Sequence, residues 1–259
     1  MAEKGRLYNF TVFHYNNSVK PDENYDSLKA VFFDAAGTLF RVRGTVGEVY
    51  WRLGQPYGLK TTPDLIEQAF QEQFANAPAL AFPGRTAEEV RALEHRWWEK
   101  LMRLVFQEVG MFPRFNDYFN EVFEAFKGSE AWELYPETLK VLEELKSDGR
   151  RIGIVSNFDS RIHDVCRVLG ISPYLDSITI SSQTGWAKPS PEIFDHALNL
   201  HGLESDEAVH VGDEIGDDVE GALAAGLRPV FLDRSDRAQA PPGVSKIRRL
   251  DELWEALSR

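Results

Sequence analysis

Apolar residues follow two different rhythms along this chain. From residue 29 onward, short strand-like stretches recur: the unbroken apolar run Ala30, Val31, Phe32 and Phe33, then the apolar-rich residues 152–155, 177–180, 208–211 and 228–232. Unbroken rather than alternating runs predict strands buried on both faces. Between them, helical spacing predicts helices over residues 136–148, 161–169, 191–201 and 217–225, with Gly170, Gly202 and Gly226 placed to end the last three. Strands alternating with helices imply right-handed βαβ units. The expected fold class is therefore α/β, with a Rossmann-like parallel-sheet core.

Residues 44–132 break this alternation. No strong strand is expected there, and helical periodicity takes over. Leu65, Ala69, Phe70 and Phe74 share one face. Thr86 and Glu89 form a capping box before Val90, Leu93, Trp97, Leu101, Leu104 and Val105. Phe115, Tyr118, Phe119, Val122, Phe123 and Phe126 mark a further helix that Gly128 stops. The aromatic stripe is expected to pack a core rather than line a ligand site. Three parts follow: an N-terminal extension over residues 1–27, a core over 28–43 and 134–259, and an inserted helical part over 44–133. Residues 7–14 are expected as an edge strand or a partly ordered tail.

Composition narrows the function classes. The 259 residues are 43% hydrophobic and 27% charged, enough for a sizeable core beneath an ordinary surface. A formal charge of −12 argues against a nucleic-acid backbone as partner. No apolar run approaches the roughly 18 residues of a membrane span, and the N-terminus lacks a secretory apolar stretch. Cys166 stands alone, so no internal disulfide forms, and its apolar neighbours predict a structural role. The cytoplasm is the expected location, and the oligomeric state is left open.

Ligands of such sheets bind beyond the carboxyl ends of the strands. Asp34, Ala36 and Thr38 follow the first run, and Ser156 and Asn157 the second. Ser181, Ser182 and then Lys188 follow the third, and Asp213, Glu214, Asp217 and Asp218 the fourth. Carboxylates, hydroxyls and one lysine at one edge suit phosphoryl transfer. A carboxylate can act as nucleophile, a hard cation accepts oxygen donors, and an ammonium balances phosphoryl charge.

Together these segments resemble the haloacid dehalogenase (HAD) superfamily, in its subfamily with helical caps. Residues 34–39 (DAAGTL) resemble its first motif, and Val155-Ser156-Asn157 its second. Residues 188–194 (KPSPEIF) resemble its third. Val211-Gly212-Asp213-Glu214 through Asp218, with Gly221, Ala222, Ala225 and Gly226, resemble its fourth. The resemblance covers about residues 28–235. It implies a hydrolase whose nucleophile is Asp34, with Mg2+ held by Asp34, the Ala36 carbonyl, Asp213 and Asp218; Asp217 and Glu214 are alternatives for the last place. Ser156 and Asn157 would hold the transferring group, Thr38 would contact substrate, and Lys188 would neutralise charge. The inserted part would be a cap hinged at segments 40–46 and 130–136, with Arg43, Arg41 and Tyr50 near the hinge and an arginine there available for a substrate anion. The implied substrate is a small phosphorylated metabolite.

One departure stands out. Phosphatases of this superfamily carry an acid/base Asp two positions after the nucleophile, where this chain has Ala36. Such a group typically contributes 10²–10⁴-fold. Three readings stay open. The first is a phosphatase for good leaving groups, with His163 or Asp159 as substitutes although both are expected on a helix surface. The second is C–P cleavage like that of phosphonoacetaldehyde hydrolases, which needs a cap lysine that residues 61–99 lack. The third is a non-catalytic binding protein. Dehalogenation needs no metal and fits the acidic fourth motif least.

Overall fold

The computed structural model describes residues 27–258; the strand or tail expected over residues 7–14 lies outside them. In chain order come β1 (Ala30–Phe33), β2 (Phe40–Val42), α1 (Val46–Gly54), α2 (Pro63–Ala75), α3 (Ala87–Val109), α4 (Phe115–Ala125) and β3 (Trp132–Leu134). Next are α5 (Thr138–Ser147), β4 (Arg151–Ser156), α6 (Ile162–Val168), β5 (Ser177–Ile180), α7 (Ser181–Thr184), α8 (Pro191–His201) and β6 (Ala208–Gly212). A π-helical turn, Ile215–Glu220, runs into α9 (Gly221–Ala224), followed by β7 (Arg228–Leu232), β8 (Ser245–Ile247) and α10 (Leu253–Leu257).

Six strands form one sheet in the order β5-β4-β1-β6-β7-β8, and every pairing in it is parallel. The register sets Phe33 beside both Ile154 and Val211. β1 is buried throughout because helices cover both faces. Its side chains alternate accordingly. Val31 and Phe33 join Val141, Leu142, Ile162 and Cys166 on one side, while Ala30 and Phe32 join Ile193, Phe194, Ala197 and Ala222 on the other. Cys166 is buried in the first cluster, and burial pushes its thiol up to about 12, in keeping with a structural role. The chain winds outward through β4 and β5, then crosses β1 to lay down β6 and β7. That reversal opens a crevice at the carboxyl end of β1.

Helices α1 to α4 have a separate core built from Tyr50, Ile66, Met102, Phe106, Tyr118 and Phe119. The expected capping box at Thr86 and Glu89 is formed, and a second one joins Thr45 to Glu48. Tyr118 donates its hydroxyl to the Tyr50 carbonyl at 2.6 Å, satisfying a polar atom inside an aromatic cluster. Among the described residues no helix is long and apolar enough to cross a membrane.

The structure corrects the sequence reading at three places. Residues 44–132 are not free of strand, since Trp132 opens β3. That strand pairs antiparallel with β2, setting Arg41 opposite Glu133 and Val42 opposite Trp132. The ribbon straddles the expected boundary at 133/134. Three-residue strands with a charged centre carry no periodicity to detect. The helix expected over 217–225 begins earlier, as the π turn. Asp159, expected on a helix surface, is fully buried, whereas His163 is exposed.

Asp159 belongs to a polar belt joining the helical part to the sheet. Arg161 donates to it twice, from Nε at 2.9 Å and Nη2 at 2.6 Å. Trp98 of α3 donates from Nε1 at 2.6 Å. The Arg161 guanidinium lies between the Trp98 and Phe123 rings, 4.8 and 4.2 Å from their centroids. Ser160 donates its backbone N–H and its hydroxyl to Glu94 of the same helix. Burial alone would raise the Asp159 carboxyl, but the Arg161 charge and the hydrogen bonds of Arg161 and Trp98 outweigh it and hold it below its usual range.

Two outcomes are expected. Asp159→Ala strands a buried guanidinium and costs about 3–5 kcal/mol in denaturant unfolding. A carboxyl depressed in the folded state contributes stability above its unfolded pKa of 3.8 and loses it as pH falls through the folded value. Below about pH 4 the wild-type chain therefore loses stability faster with falling pH than Asp159→Asn does; equal slopes would remove Asp159 as the titrating group.

Candidate active site

Asp34 emerges from β1 at the crevice, its backbone N–H donating to the Val211 carbonyl at 2.9 Å and so extending the ladder by one residue. The chain then turns tightly, with Leu39 N–H bonded to the Ala35 carbonyl and Gly37 N–H to the Phe40 carbonyl, both at 2.8 Å. Gly37 has φ of 92°, and a Cβ there would lie 2.2 Å from Asp213 Oδ2. Both the backbone angle and the closeness of a carboxylate require glycine. Arg234, just past β7, holds this turn from outside. Its Nε donates to the Gly37 carbonyl at 3.1 Å, its Nη2 to the Thr38 carbonyl at 2.7 Å and its Nη1 to Glu137 at 2.7 Å.

Lys188 is buried at the centre. Its ammonium lies 2.6 Å from Asp34 Oδ1 and 2.5 Å from Asp218 Oδ1. Asp218 also faces His210 Nε2 at 2.8 Å and accepts the Glu214 backbone N–H at 3.0 Å. Asp213 accepts the Thr38 hydroxyl at 3.1 Å. Burial alone would lower Lys188, but Asp218 and Asp34 outweigh it and raise the ammonium above its ordinary range. Burial would likewise raise Asp218, yet Lys188 and His210 hold it below the carboxylate range. Asp34 is raised, chiefly by burial, despite Lys188. Burial and the charges of Asp34 and Asp218 push Asp213 up to about 8. One ammonium does not neutralise this group of carboxylates.

The residues expected at the site are mostly brought together. Ser156 is buried within hydrogen-bonding reach of Asp34. Asn157 ties two loops together. Its amide accepts from the Lys188 backbone N–H at 2.7 Å, and donates to the Lys188 carbonyl and to Asp217, each at 3.0 Å. Of the alternatives for the last acidic place, Asp218 joins the group, while Asp217 is held by Asn157 and Glu214 is exposed. Thr38, expected to contact substrate, is fully buried and orients Asp213 instead. Arg43 is the clear displacement. It is exposed and paired with Glu133 at 3.5 Å, because its partner lies across the β2–β3 ribbon.

A cavity of about 350 Å³ opens beside Ala36, Gly37 and Asn157 and continues among aromatic side chains of the helical part. Its cationic wall is Arg41 and Arg161, not Arg43. Sequence reading missed three residues here. His210 is a lone polar residue within the apolar run of β6, which was a usable signal. Arg161 and Arg234 gain their roles through contacts distant in sequence, which composition does not register.

Asp34, Asp213 and Asp218 each place a carboxylate oxygen within 4.8 Å of the others. The donors are all oxygen, and the group is short of positive charge, which fits a hard divalent cation such as Mg2+ better than a soft metal. Asp218 already serves Lys188, His210 and the Glu214 amide, so Asp34 and Asp213 are the better direct ligands.

Comparison with known proteins agrees with the geometry. Residues 28–226 match a family described as haloacid dehalogenase-like hydrolase. The haloacid dehalogenase-like hydrolase domain-containing protein 3 of Danio rerio is 32% identical over 231 residues, covering 87% of this chain and 95% of its own. Among solved structures, a HAD phosphatase from Thermococcus onnurineus superposes with a TM-score of 0.62 at 24% identity, over 89% of this chain and 98% of its own. A 2-haloacid dehalogenase from Pseudomonas syringae pv. Tomato DC3000 gives 0.63 at 23%, over 90% and 99%. At these identities the two structures establish the fold and leave the chemistry to the site.

Cation binding to the folded chain is expected to raise its melting temperature. At a hundredfold excess over Kd the gain is about 2.7 kcal/mol, or roughly 5–10 °C for a chain of this size. Asp213→Asn is expected to lose most of the shift with Mg2+ in a thermal melt. An undiminished shift would place the cation elsewhere.

Proposed function

The chain belongs to the haloacid dehalogenase-like hydrolase family, and on that premise we propose that it is a Mg2+-dependent phosphatase acting on a small phosphorylated metabolite. The observation that carries this reading is the Asp213 carboxylate held beside Asp34 in a group that calls for a cation. A haloacid brings its own carboxylate, which a second acidic residue repels. A phosphoryl group instead shares the cation that such a pair attracts. When bound, Mg2+ neutralises phosphoryl oxygens and holds them in line with the nucleophile.

The residues then take distinct parts. An Asp34 oxygen attacks phosphorus, the bond from phosphorus to the leaving oxygen breaks, and the electron pair departs with that oxygen. Water next attacks the same phosphorus, the bond to Asp34 breaks, and inorganic phosphate leaves with the carboxylate restored. Lys188 offsets charge on Asp34 and on the phosphoryl group. Ser156 hydrogen-bonds that group, and Asn157 fixes the loop carrying Lys188. Asp218, backed by His210, positions the ammonium. The helical part over residues 44–133 serves as a cap, moving about the β2–β3 ribbon to exclude water. C–P cleavage through a lysine imine is disfavoured, since no lysine lines the cavity among the described residues.

Ala36 leaves both half-reactions without the usual proton carrier. With Mg2+, p-nitrophenyl phosphate and acetyl phosphate are expected to be hydrolysed above an Asp34→Asn control, with an initial burst because unassisted water attack is slow. Ala36→Asp is expected to raise steady-state turnover at least about tenfold and to shorten the burst. No hydrolysis of either ester above the control overturns the phosphatase reading.

A further inference from the structure

The cavity beside Ala36 carries information about what leaves from phosphorus. Its volume of about 350 Å³ lies at the lower end of small-molecule pockets. Phe70, Phe74, Met102, Val122, Phe123 and Phe126 form most of its wall. Most of its polar members are engaged with the protein. Arg161 is closed by Asp159 through two hydrogen bonds. Arg41 donates to Glu133 at 2.8 Å, the Trp98 indole N–H is taken by Asp159, and the Asn157 amide is spent on Lys188 and Asp217. Apart from the half-exposed Arg41, whose Nε alone is bonded to Glu133, a charged or strongly polar occupant would lose its hydration against an apolar wall, which is costly. An apolar occupant gains about 0.8 kcal/mol for each methylene buried.

The mouth of the cavity adds a second, independent constraint. Ala36, two residues past Asp34, lines the cavity on the side of the carboxylate group. Among the described residues of the wall Tyr50 is the one hydroxyl-bearing side chain, and burial raises its phenol above the ordinary range. Among the described residues lining the cavity, none offers a proton of ordinary acidity to a departing alkoxide. This wall therefore suits a leaving oxygen that is stable as an anion.

We propose that the substrate is an aryl or medium-chain acyl phosphate, its uncharged apolar body seated in this cavity and its weakly basic oxygen leaving over Ala36. The proposal rests on the phosphatase reading of Asp34. The bond from the Asp34 oxygen to phosphorus forms, and the bond from phosphorus to the aryl or acyl oxygen breaks. The pair departs on a phenolate or carboxylate, and water later releases phosphate from Asp34. No co-reactant beyond water is needed. Shape and leaving-group basicity select the same substrate, because the apolar lining and Ala36 belong to one cavity wall.

The test compares kcat/KM, which reports the steps up to phosphoryl transfer, for three phosphates with Mg2+. Octanoyl phosphate is expected to exceed acetyl phosphate at least about tenfold, since six further methylenes enter the cavity. Octyl phosphate, equally long but leaving as an alkoxide, is expected to fall at least about a hundredfold below octanoyl phosphate. Val122→Phe, which fills the cavity, is expected to cut the octanoyl-to-acetyl ratio at least about fivefold. Should that variant not fold, octanoate as a competitive inhibitor of the wild-type enzyme gives the same reading, with a Ki at least about tenfold below that of acetate. Equal kcat/KM for octanoyl and acetyl phosphate, or octyl phosphate turned over as fast as octanoyl phosphate, overturns this proposal and leaves the phosphatase standing. Absence of hydrolysis above Asp34→Asn for all three overturns both.

Discussion

One buried ammonium organises the active edge. Lys188 stands between Asp34 and Asp218, and removing it from water would cost several kcal/mol without both partners. Three separate segments must deliver those groups to a common point: the end of β1, the loop before α8, and the π turn after β6. The parallel register supplies the coarse alignment, since Phe33 stands level with Val211. Asn157, from the end of β4, supplies the fine one by gripping both backbone polar groups of Lys188. Electrostatics and sheet topology thus specify the same geometry.

A second constraint holds the turn after Asp34. Gly37 lets Asp213 approach the backbone more closely than any side chain would allow. Arg234 then fixes the carbonyls on the far side of that turn and stacks over Tyr135 at 3.4 Å. The carboxylate pair is therefore held by steric exclusion on one face and hydrogen bonding on the other. Such preorganisation holds the two carboxyl groups close, and Asp213 answers burial and the crowding with a raised pKa.

Much of the sheet and its chemical edge was legible because burial on both faces writes itself as an unbroken apolar run. β1 announces itself that way, β4, β6 and β7 do so with a single interruption or a polar end, β5 is an alternating Ser-Ile-Thr-Ile, and the polar residues after β1, β4 and β6 follow from the geometry of parallel sheets. Three-residue strands were not legible, since β2, β3 and β8 carry charged or polar residues and owe their form to a neighbour. Nor were the parts played by Arg161 and Asp159. Their pairing depends on Trp98 and Phe123, more than thirty residues upstream in a different packing unit. Arg43 illustrates the opposite error. Its position near the first motif suggested substrate contact, but it follows β2, its backbone bonds to Ala131, and its exposed guanidinium pairs with Glu133.

The helical part keeps its own core, and the sheet keeps two others. Leu53 and Phe126 are the partly buried apolar side chains packed against both the helical core and the larger sheet core. With Val49 of α1 and Trp132, which are buried in the sheet's own cluster, they make up a hydrophobic joint that has an evolutionary meaning. Residues walling the cavity can be exchanged while the strands that carry Asp34, Asp213 and Lys188 keep their packing. A lineage built this way can wander among ligands of different shape without reinventing its reaction chemistry. Selection for a new specificity then acts on a module whose failures stay local.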